Sequence, residues 1–463
     1  MKRKRLCDSM NTSCFVEKLF TTLAEKKINY CIISGYEKLP DEIITDVDIA
    51  IEKRAIKELD KIVFTVARSC NMVVFNKFRP GDALFTYFFV PPYLKNPEGI
   101  HIDFLWAFIC EEFEREKLPG FKRYYVQGEE ELLEDCVDYG IFRIPSQKKA
   151  FQHFLLRMVL KGEFNSEYKL NRVLRLFENI GVDVARSQLA KYFPKTYNEI
   201  IRCLTNNPAE LPDILRNSKS ELKRMTWKSF YPKNILIHVH RIIDRVVHPA
   251  GFVVAILGPD GSGKSAIVEK VLWVLSKAFI GQKRFYWRPG LLKAPGIALG
   301  LRKFDKTENP DPHGHRPENL IKSLFRFSYY LIDFTLGFFI KVWPLKVRRA
   351  LCVFDRYYYD ALVDSYRYNF QLPKWLLRLG MKIVPKPDVT IILDVPTDVM
   401  LSRKRELPRE ELERQRKEFL ELSRKIKNCY VVDNNGPIDE TLKEITRIII
   451  REKSKQTMRR LKI

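Results

Sequence analysis

Phe252-Val-Val-Ala-Ile-Leu257 runs directly into Gly258-Pro-Asp-Gly-Ser-Gly-Lys264-Ser265, and this junction decides the fold. Six consecutive apolar residues predict a strand buried on both faces, as in a parallel sheet. The glycines that follow let the backbone turn so that successive N–H groups converge on an anion, and a helix opening at Lys264 presents its positive end to the same point. The G-x-x-x-x-G-K-[ST] spacing between strand and helix therefore reads as a phosphate-binding loop for ATP, made of Gly258, Pro259, Asp260, Gly261, Ser262, Gly263, Lys264 and Ser265; a turn that binds nothing is the alternative. In this reading Lys264 reaches the β/γ-phosphates and Ser265 reaches Mg²⁺.

Outward from this point, strand-like runs at 284–287, 350–354, 388–395 and 429–433 alternate with helical stretches. That alternation is the pattern of a parallel sheet covered on both faces, an α/β domain over 251–463. Ala350-Leu-Cys-Val-Phe354 delivers Asp355-Arg356-Tyr357 at its C-terminal end, the edge where open α/β sheets bind ligands. An aspartate there suits Mg²⁺, and the planar fork of Arg356 suits a second phosphate. Arg403-Lys-Arg-Glu-Leu-Pro-Arg409-Glu-Glu-Leu-Glu-Arg414 follows the strand that ends at Asp394. Alone it reads as a solvated helical face; placed after the fourth strand, it supplies the cations that phosphoryl transfer needs over the site.

These motifs resemble the thymidylate kinase family of nucleoside-monophosphate kinases over roughly residues 252 to 450. The resemblance rests on the Asp260-containing loop, Trp287-Arg288-Pro289-Gly290 after the second strand, Asp355-Arg356-Tyr357, and the basic run ahead of Leu412-Glu-Arg-Gln-Arg-Lys-Glu-Phe419. It implies that Lys264, Arg356 and lid arginines among Arg403, Arg405 and Arg409 stabilise the transferring group. It places Ser265 and Asp355 on the metal, and Asp260, Arg288, Arg356 and Arg367 toward the acceptor. ATP and Mg²⁺ are the implied cofactors, a small-molecule phosphate acceptor the implied partner with dTMP as default, and a homodimer is compatible with it. Where the family continues with a Ser and an Ala-Tyr-Gln that helps hold the base, this chain reads Asp355-Arg-Tyr-Tyr-Tyr-Asp360-Ala-Leu-Val-Asp364-Ser-Tyr-Arg367-Tyr. In this it looks like a divergent branch of thymidylate kinase-like bacterial proteins, many associated with surface-polysaccharide biosynthesis, so a kinase of a sugar or glycolipid intermediate is the second reading.

Residues 1–145 mix helix and strand. Helical patterns at Cys14 to Lys26 and Arg54 to Ala67 alternate with strand-like runs at Tyr30–Ile33, Val47–Ile51, Met72–Phe75, Ala83–Val90 and Ile100–Trp106. Asp46 and Asp48, two residues apart on a strand, share one face, and Asp103 on another strand completes a carboxylate set of the kind that holds two divalent metals. With Ile32-Ile-Ser-Gly35-Tyr36 upstream, this resembles the nucleotidyltransferase superfold of DNA polymerase β, an α+β domain. By that likeness Asp46, Asp48 and Asp103 are metal ligands, although Tyr36 stands where Gly or Ser is usual. Residues 146–247 turn helical and charged and read as a spacer.

The chain has 463 residues, long enough for two or three cores, and a formal charge of +24 that favours anionic partners. The basic runs at Lys2–Arg5 and Lys453–Lys462 read as solvated tails, so no nucleic acid is assigned. An ATP-binding regulatory or nucleic-acid-binding protein is the rival outside the enzyme class. Nine scattered cysteines without C-x-x-C, and no apolar leader, point to reduced thiols in the cytoplasm. The nearly apolar run 323–343 carries Arg326, Asp333 and Lys341 within about an 80° stripe of a helix. Three charges argue against a spanning helix, which leaves burial in a large α/β core or peripheral contact with a membrane.

Overall fold

The computed structural model describes residues 2–41, 46–81, 83–113, 121–164, 166–226, 232–292, 319–404 and 407–461. Two compact units divide the chain: Met1–Phe89 with Ile100–Arg241, and Val90–Gly99 with Ile242–Ile463.

The first unit opens with helix α1 (Lys2–Glu25), strands β1 (Tyr30–Ser34) and β2 (Val47–Ile51), helix α2 (Ile56–Ser69), and strands β3 (Val73–Gly81), β4 (Leu84–Val90) and β5 (Ile100–Leu105). Its five-stranded sheet has the order β1-β2-β5-β4-β3, antiparallel at β1/β2 and β4/β5 and parallel at β2/β5. Apolar faces of α1 and α2, including Phe15, Leu19, Phe20, Leu59 and Val63, close one core over it. Two hairpins follow, β6 (Phe108–Phe113) with β7 (Phe121–Gln127), then, beyond α3 (Glu129–Leu133), β8 (Cys136–Tyr139) with β9 (Phe142–Pro145). Sequence patterning did not single these out, because short two-stranded ribbons carry little periodic signal. The region read as helical holds α4 (Gln147–Lys161), α5 (Glu167–Ile180), α6 (Val182–Ala190), α7 (Tyr197–Asn206), α8 (Leu211–Thr226) and α9 (Pro232–Val247). Phe151, Leu155, Leu189, Phe193, Ile200 and Leu215 are among the residues of its separate apolar core.

In the second unit the sheet is parallel throughout, β11-β12-β10-β13-β14, built from β10 (Phe252–Leu257), β11 (Gly281–Tyr286), β12 (Ala350–Asp355), β13 (Val389–Asp394) and β14 (Cys429–Asp433). β10 is central and wholly buried, as its unbroken apolar run predicts. Helices α10 (Lys264–Val274), α11 (Leu320–Gly337), α12 (Trp343–Val347), α13 (Asp360–Val363), α14 (Lys374–Ile383), α15 (Thr397–Arg403), α16 (Arg409–Ser423) and α17 (Ile438–Leu461) complete the unit. The segment 90–99 belongs here, with the Leu94 N–H and C=O both bonded to the Thr446 hydroxyl of α17.

The 323–343 run corrects the expectation of a helix sunk in the core. Ser323, Phe327, Phe334, Gly337 and Phe338 face inward, while Ile321, Phe325, Leu336, Phe339 and Ile340 are exposed. Of the polar line only Asp333 is fully buried; Arg326 is half-buried and Lys341 exposed. Its carboxylate accepts hydrogen bonds from Arg288 at 2.6 Å and from the N–H groups of Gly290 at 3.1 Å and Leu292 at 2.8 Å. One acid thus holds the Arg288–Leu292 turn against α11, satisfying donors that would otherwise be left open. Asp333→Ala takes the counter-charge from the Arg288 guanidinium and leaves two N–H groups unmatched; we expect a loss of about 3 kcal/mol, read by urea unfolding.

Candidate active site

The loop after β10 takes its shape from residues that only glycine replaces easily. At Gly261 φ is +79°, and a Cβ there would meet the Met400 carbonyl oxygen at 2.7 Å. The Asn434 side-chain amide donates to the Ser262 carbonyl at 2.7 Å and fixes the loop from β14's end of the sheet. Lys264 is buried beneath the loop and donates to the carbonyls of Gly258 at 2.8 Å and Pro259 at 2.7 Å. Burial, helped by the charge of Arg356, pushes its ammonium from 10.5 down to about 7.

Two strand ends meet here. Ser265 Oγ donates to Asp355 Oδ2 at 2.9 Å, and Asp355 also accepts from Arg284 of β11 at 2.5 Å. A hydroxyl beside a buried carboxylate is a donor set that fits a hard cation such as Mg²⁺. Arg356, at φ +73°, is buried and pairs with Asp260, and it lies 3.4 Å from Asp360. Arg367 pairs with the other oxygen of Asp260 and with Asp364 at 3.3 Å. Three of the residues expected at the acceptor, Asp260, Arg356 and Arg367, therefore converge. The fourth does not join them: Arg288 donates to Asp333 and to the Leu292 carbonyl at 2.6 Å and lies over the Tyr330 ring. It anchors its own turn.

The lid arginines separate as well. Arg403 donates to the Asn434 carbonyl at 3.2 Å, at the edge of the phosphate loop. Arg409 is an exposed surface residue paired with Asp398 and Glu413, and Arg405 lies outside the described residues. Asn434, Arg284 and Asp360 were not among the sequence candidates. No motif marks them: Asn434 and Arg284 matter through contacts with a distant loop and strand, and Asp360 through Arg356 one helical turn before it.

On the first unit's sheet, the parallel register puts Asp48 opposite Asp103, and Thr86 opposite Asp103 donates to it at 2.5 Å. Burial, with Asp48 and Asp46 nearby, pushes the Asp103 carboxyl up to about 6. Asp46 is largely exposed, 3.8 Å from the His101 ring. Asp48 is buried and paired with Arg157 of α4, its counter-charge supplied by a guanidinium. Among the described residues no group of three or more His, Cys, Asp or Glu side chains has the arrangement to hold a metal ion. The three carboxylates as placed do not fit the two-metal role that the resemblance implies.

No protein-family profile matches the chain. It is 28% identical over 207 residues to a probable thymidylate kinase of Archaeoglobus fulgidus, covering 42% of this chain and 94% of the relative. Probable thymidylate kinase 1 of Saccharolobus solfataricus is 30% identical over 114 residues, 23% of this chain and 59% of the relative. Among solved structures, the thymidylate kinase of Ehrlichia chaffeensis aligns with 43% of this chain and 100% of its own at 18% identity and a TM-score of 0.30. That of Candida albicans aligns with 44% and 93% at 18% identity and a TM-score of 0.31. The chain thus carries thymidylate kinase homology at low identity over less than half its length.

Two measurements follow from this geometry. With its pKa near 7, the Lys264 amine is largely neutral above that pH, and a bound phosphate restores the ammonium. Nucleotide binding should therefore take up close to one proton at about pH 8 and none below about pH 6, seen as a buffer-dependent enthalpy in calorimetry and abolished in Lys264→Ala. For the first unit, Asp48→Asn should cost about 2 kcal/mol by unpairing Arg157, measured by denaturant unfolding. Three mutually repelling acids awaiting metal would instead be stabilised by the change.

Proposed function

We propose that the second unit transfers a phosphoryl group from ATP to a monophosphate-bearing acceptor, with dTMP the default from homology. The observation that carries this reading is the convergence of Lys264, the Ser265–Asp355 pair and the Asp260–Arg356–Arg367 cluster at the C-terminal ends of β10 and β12. ATP bound with Mg²⁺ supplies the transferable group and an electrophilic phosphorus. The loop N–H groups and Lys264 bear the β/γ-phosphates, Ser265 and Asp355 would hold the cation, and Arg403 stands at the loop edge where charge develops. Arg356 and Arg367, now held by Asp260, present two planar forks that an acceptor phosphate would take over.

Trp287 Nε1, Asp360 Oδ1 and Tyr368 Oη are buried without hydrogen-bond partners. Trp287 stacks on Tyr368 with centroids 4.0 Å apart, and the charge of Asp360 acts on both Arg356 and Tyr368. Buried polar groups left open in this way are what an acceptor's own polar groups would satisfy. One feature favours the second reading, a phosphorylated sugar or glycolipid intermediate: Asp364, in the segment that departs from the family's base-holding sequence, is committed to Arg367.

The test is kcat/KM for dTMP, dUMP and a phosphosugar, read by ADP release. We expect Lys264→Ala to lower turnover by at least about 100-fold and discrimination among the three acceptors to be shallow. Unchanged turnover in that variant would falsify the kinase reading. A dTMP preference of about 10⁴ or more would show instead that the open polar groups read a base.

A further inference from the structure

Helices α1 and α2 of the first unit run antiparallel, and a contact joins them at each end. Just past the end of α1, Lys26 lies 3.6 Å from Glu58 in the first turn of α2. At the other end Cys14 Sγ of α1 stands 3.2 Å from the Sγ of Cys70, the residue that caps α2. Between these contacts an open groove of about 880 Å³ separates the outer sides of the helices, lined by Lys18, Thr21 and Glu25 of α1 and by Lys61, Thr65 and Ser69 of α2. The Lys26–Glu58 pair is largely solvated and holds the helices weakly. The thiol contact is the one that covalent chemistry can strengthen.

Both sulfurs sit on backbone that is already fixed. Cys70 is buried, and its N–H bonds to the carbonyls of Val66 and Ala67 at 3.2 Å. Cys14 is half-buried and directly precedes Phe15 and Val16, which are anchored in the core. A disulfide bond is about 2.05 Å long, so the two sulfurs need to approach by only about 1.1 Å. The cysteines are 56 positions apart, and a bond between them would close a long loop in the unfolded chain, where such a link restricts most freedom. Exposure sets the order of reaction: an oxidant from solvent meets Cys14 first, and Cys70 waits beside it as the resolving thiol.

We propose that Cys14 and Cys70 form a reversible redox staple between α1 and α2, made by a small-molecule disulfide such as glutathione disulfide. The Cys14 thiolate attacks one sulfur of the oxidant, forming a mixed disulfide and releasing one glutathione. Cys70 then gives its proton to solvent and attacks Cys14 Sγ, and the second glutathione leaves. Two protein thiols are oxidised and one glutathione disulfide is reduced to two thiols. The test treats the folded, full-length protein with glutathione disulfide and reads it by peptide mass spectrometry without reduction. We expect a Cys14–Cys70 cross-linked peptide that reduced glutathione reverses, slower amide exchange across α1 and α2, and a rise of about 5–10 °C in the first unit's Tm. Cys14→Ser and Cys70→Ser should each abolish all three changes. Should Cys70→Ser disturb folding, judged by circular dichroism, Cys14→Ser at the half-buried position carries the same test. Glutathione that stays on Cys14 without the cross-link overturns the proposal, as does a cross-link that forms only in urea or one that leaves exchange and Tm unmoved.

Discussion

A buried guanidinium is tolerable only when carboxylates surround it, and the second unit's site is organised around that requirement at Arg356. The side chain is almost fully enclosed at the end of a wholly buried strand, on a backbone with positive φ. Asp260 from the phosphate loop and Asp360 from the start of α13 flank it, and Asp260 in turn holds Arg367. Burial pushes the Asp360 carboxyl up to about 6 even with Arg356 beside it. The loop, the second strand end and the 360–368 segment are thereby tied into one charged network before any ligand arrives. An anion entering it exchanges protein carboxylates for phosphate oxygens with the guanidinium planes already assembled, which lowers the reorganisation a phosphate would otherwise impose.

Around this network lies a wall of rings. Tyr357, Tyr358 and Tyr359 are buried in succession, Phe334 packs edge-on against the first two, and Trp287 stacks on Tyr368. Consecutive buried tyrosines are unusual for a segment leaving a strand, and two of them find backbone carbonyls for their hydroxyls, at Pro385 and Leu377. The apolar wall makes the local dielectric low, so the charges at its edge act strongly on one another and on whatever binds. The open polar atoms of Trp287, Asp360 and Tyr368 stand out because so much around them is satisfied.

The first unit uses the same economy of charge differently. Asp48 and Asp103 lie side by side through a parallel register, yet one is answered by Arg157 from a helix more than a hundred residues downstream and the other by the neighbouring Thr86. A sheet and a helical segment that read as separate zones are joined by that ion pair within a single compact unit. An acidic cluster seen in sequence thus acquires a structural role from a cation that no spacing rule connects to it.

What the amino-acid order determined by itself was everything local. The apolar run of β10, the glycines and Lys264-Ser265 that follow and the strand bearing Asp355-Arg356 all follow from periodicity and from the conformations glycine alone adopts readily; Asp46, expected on one strand face with Asp48, lies just ahead of β2 and is largely exposed. Tertiary structure decided which partner each charge would find. Asp260 meets Arg367 across 107 positions, Arg284 meets Asp355 across 71, and Arg288 is taken by Asp333 across 45. It also turned Asp333 of α11 into the interior, where three donors meet it, while Phe325 and Leu336 of the same helix stayed at the surface. Hydrogen bonds and ion pairs act over a few ångströms in space and carry no trace of their range along the chain; periodicity therefore reveals which face a residue occupies, and only the folded chain reveals what waits there.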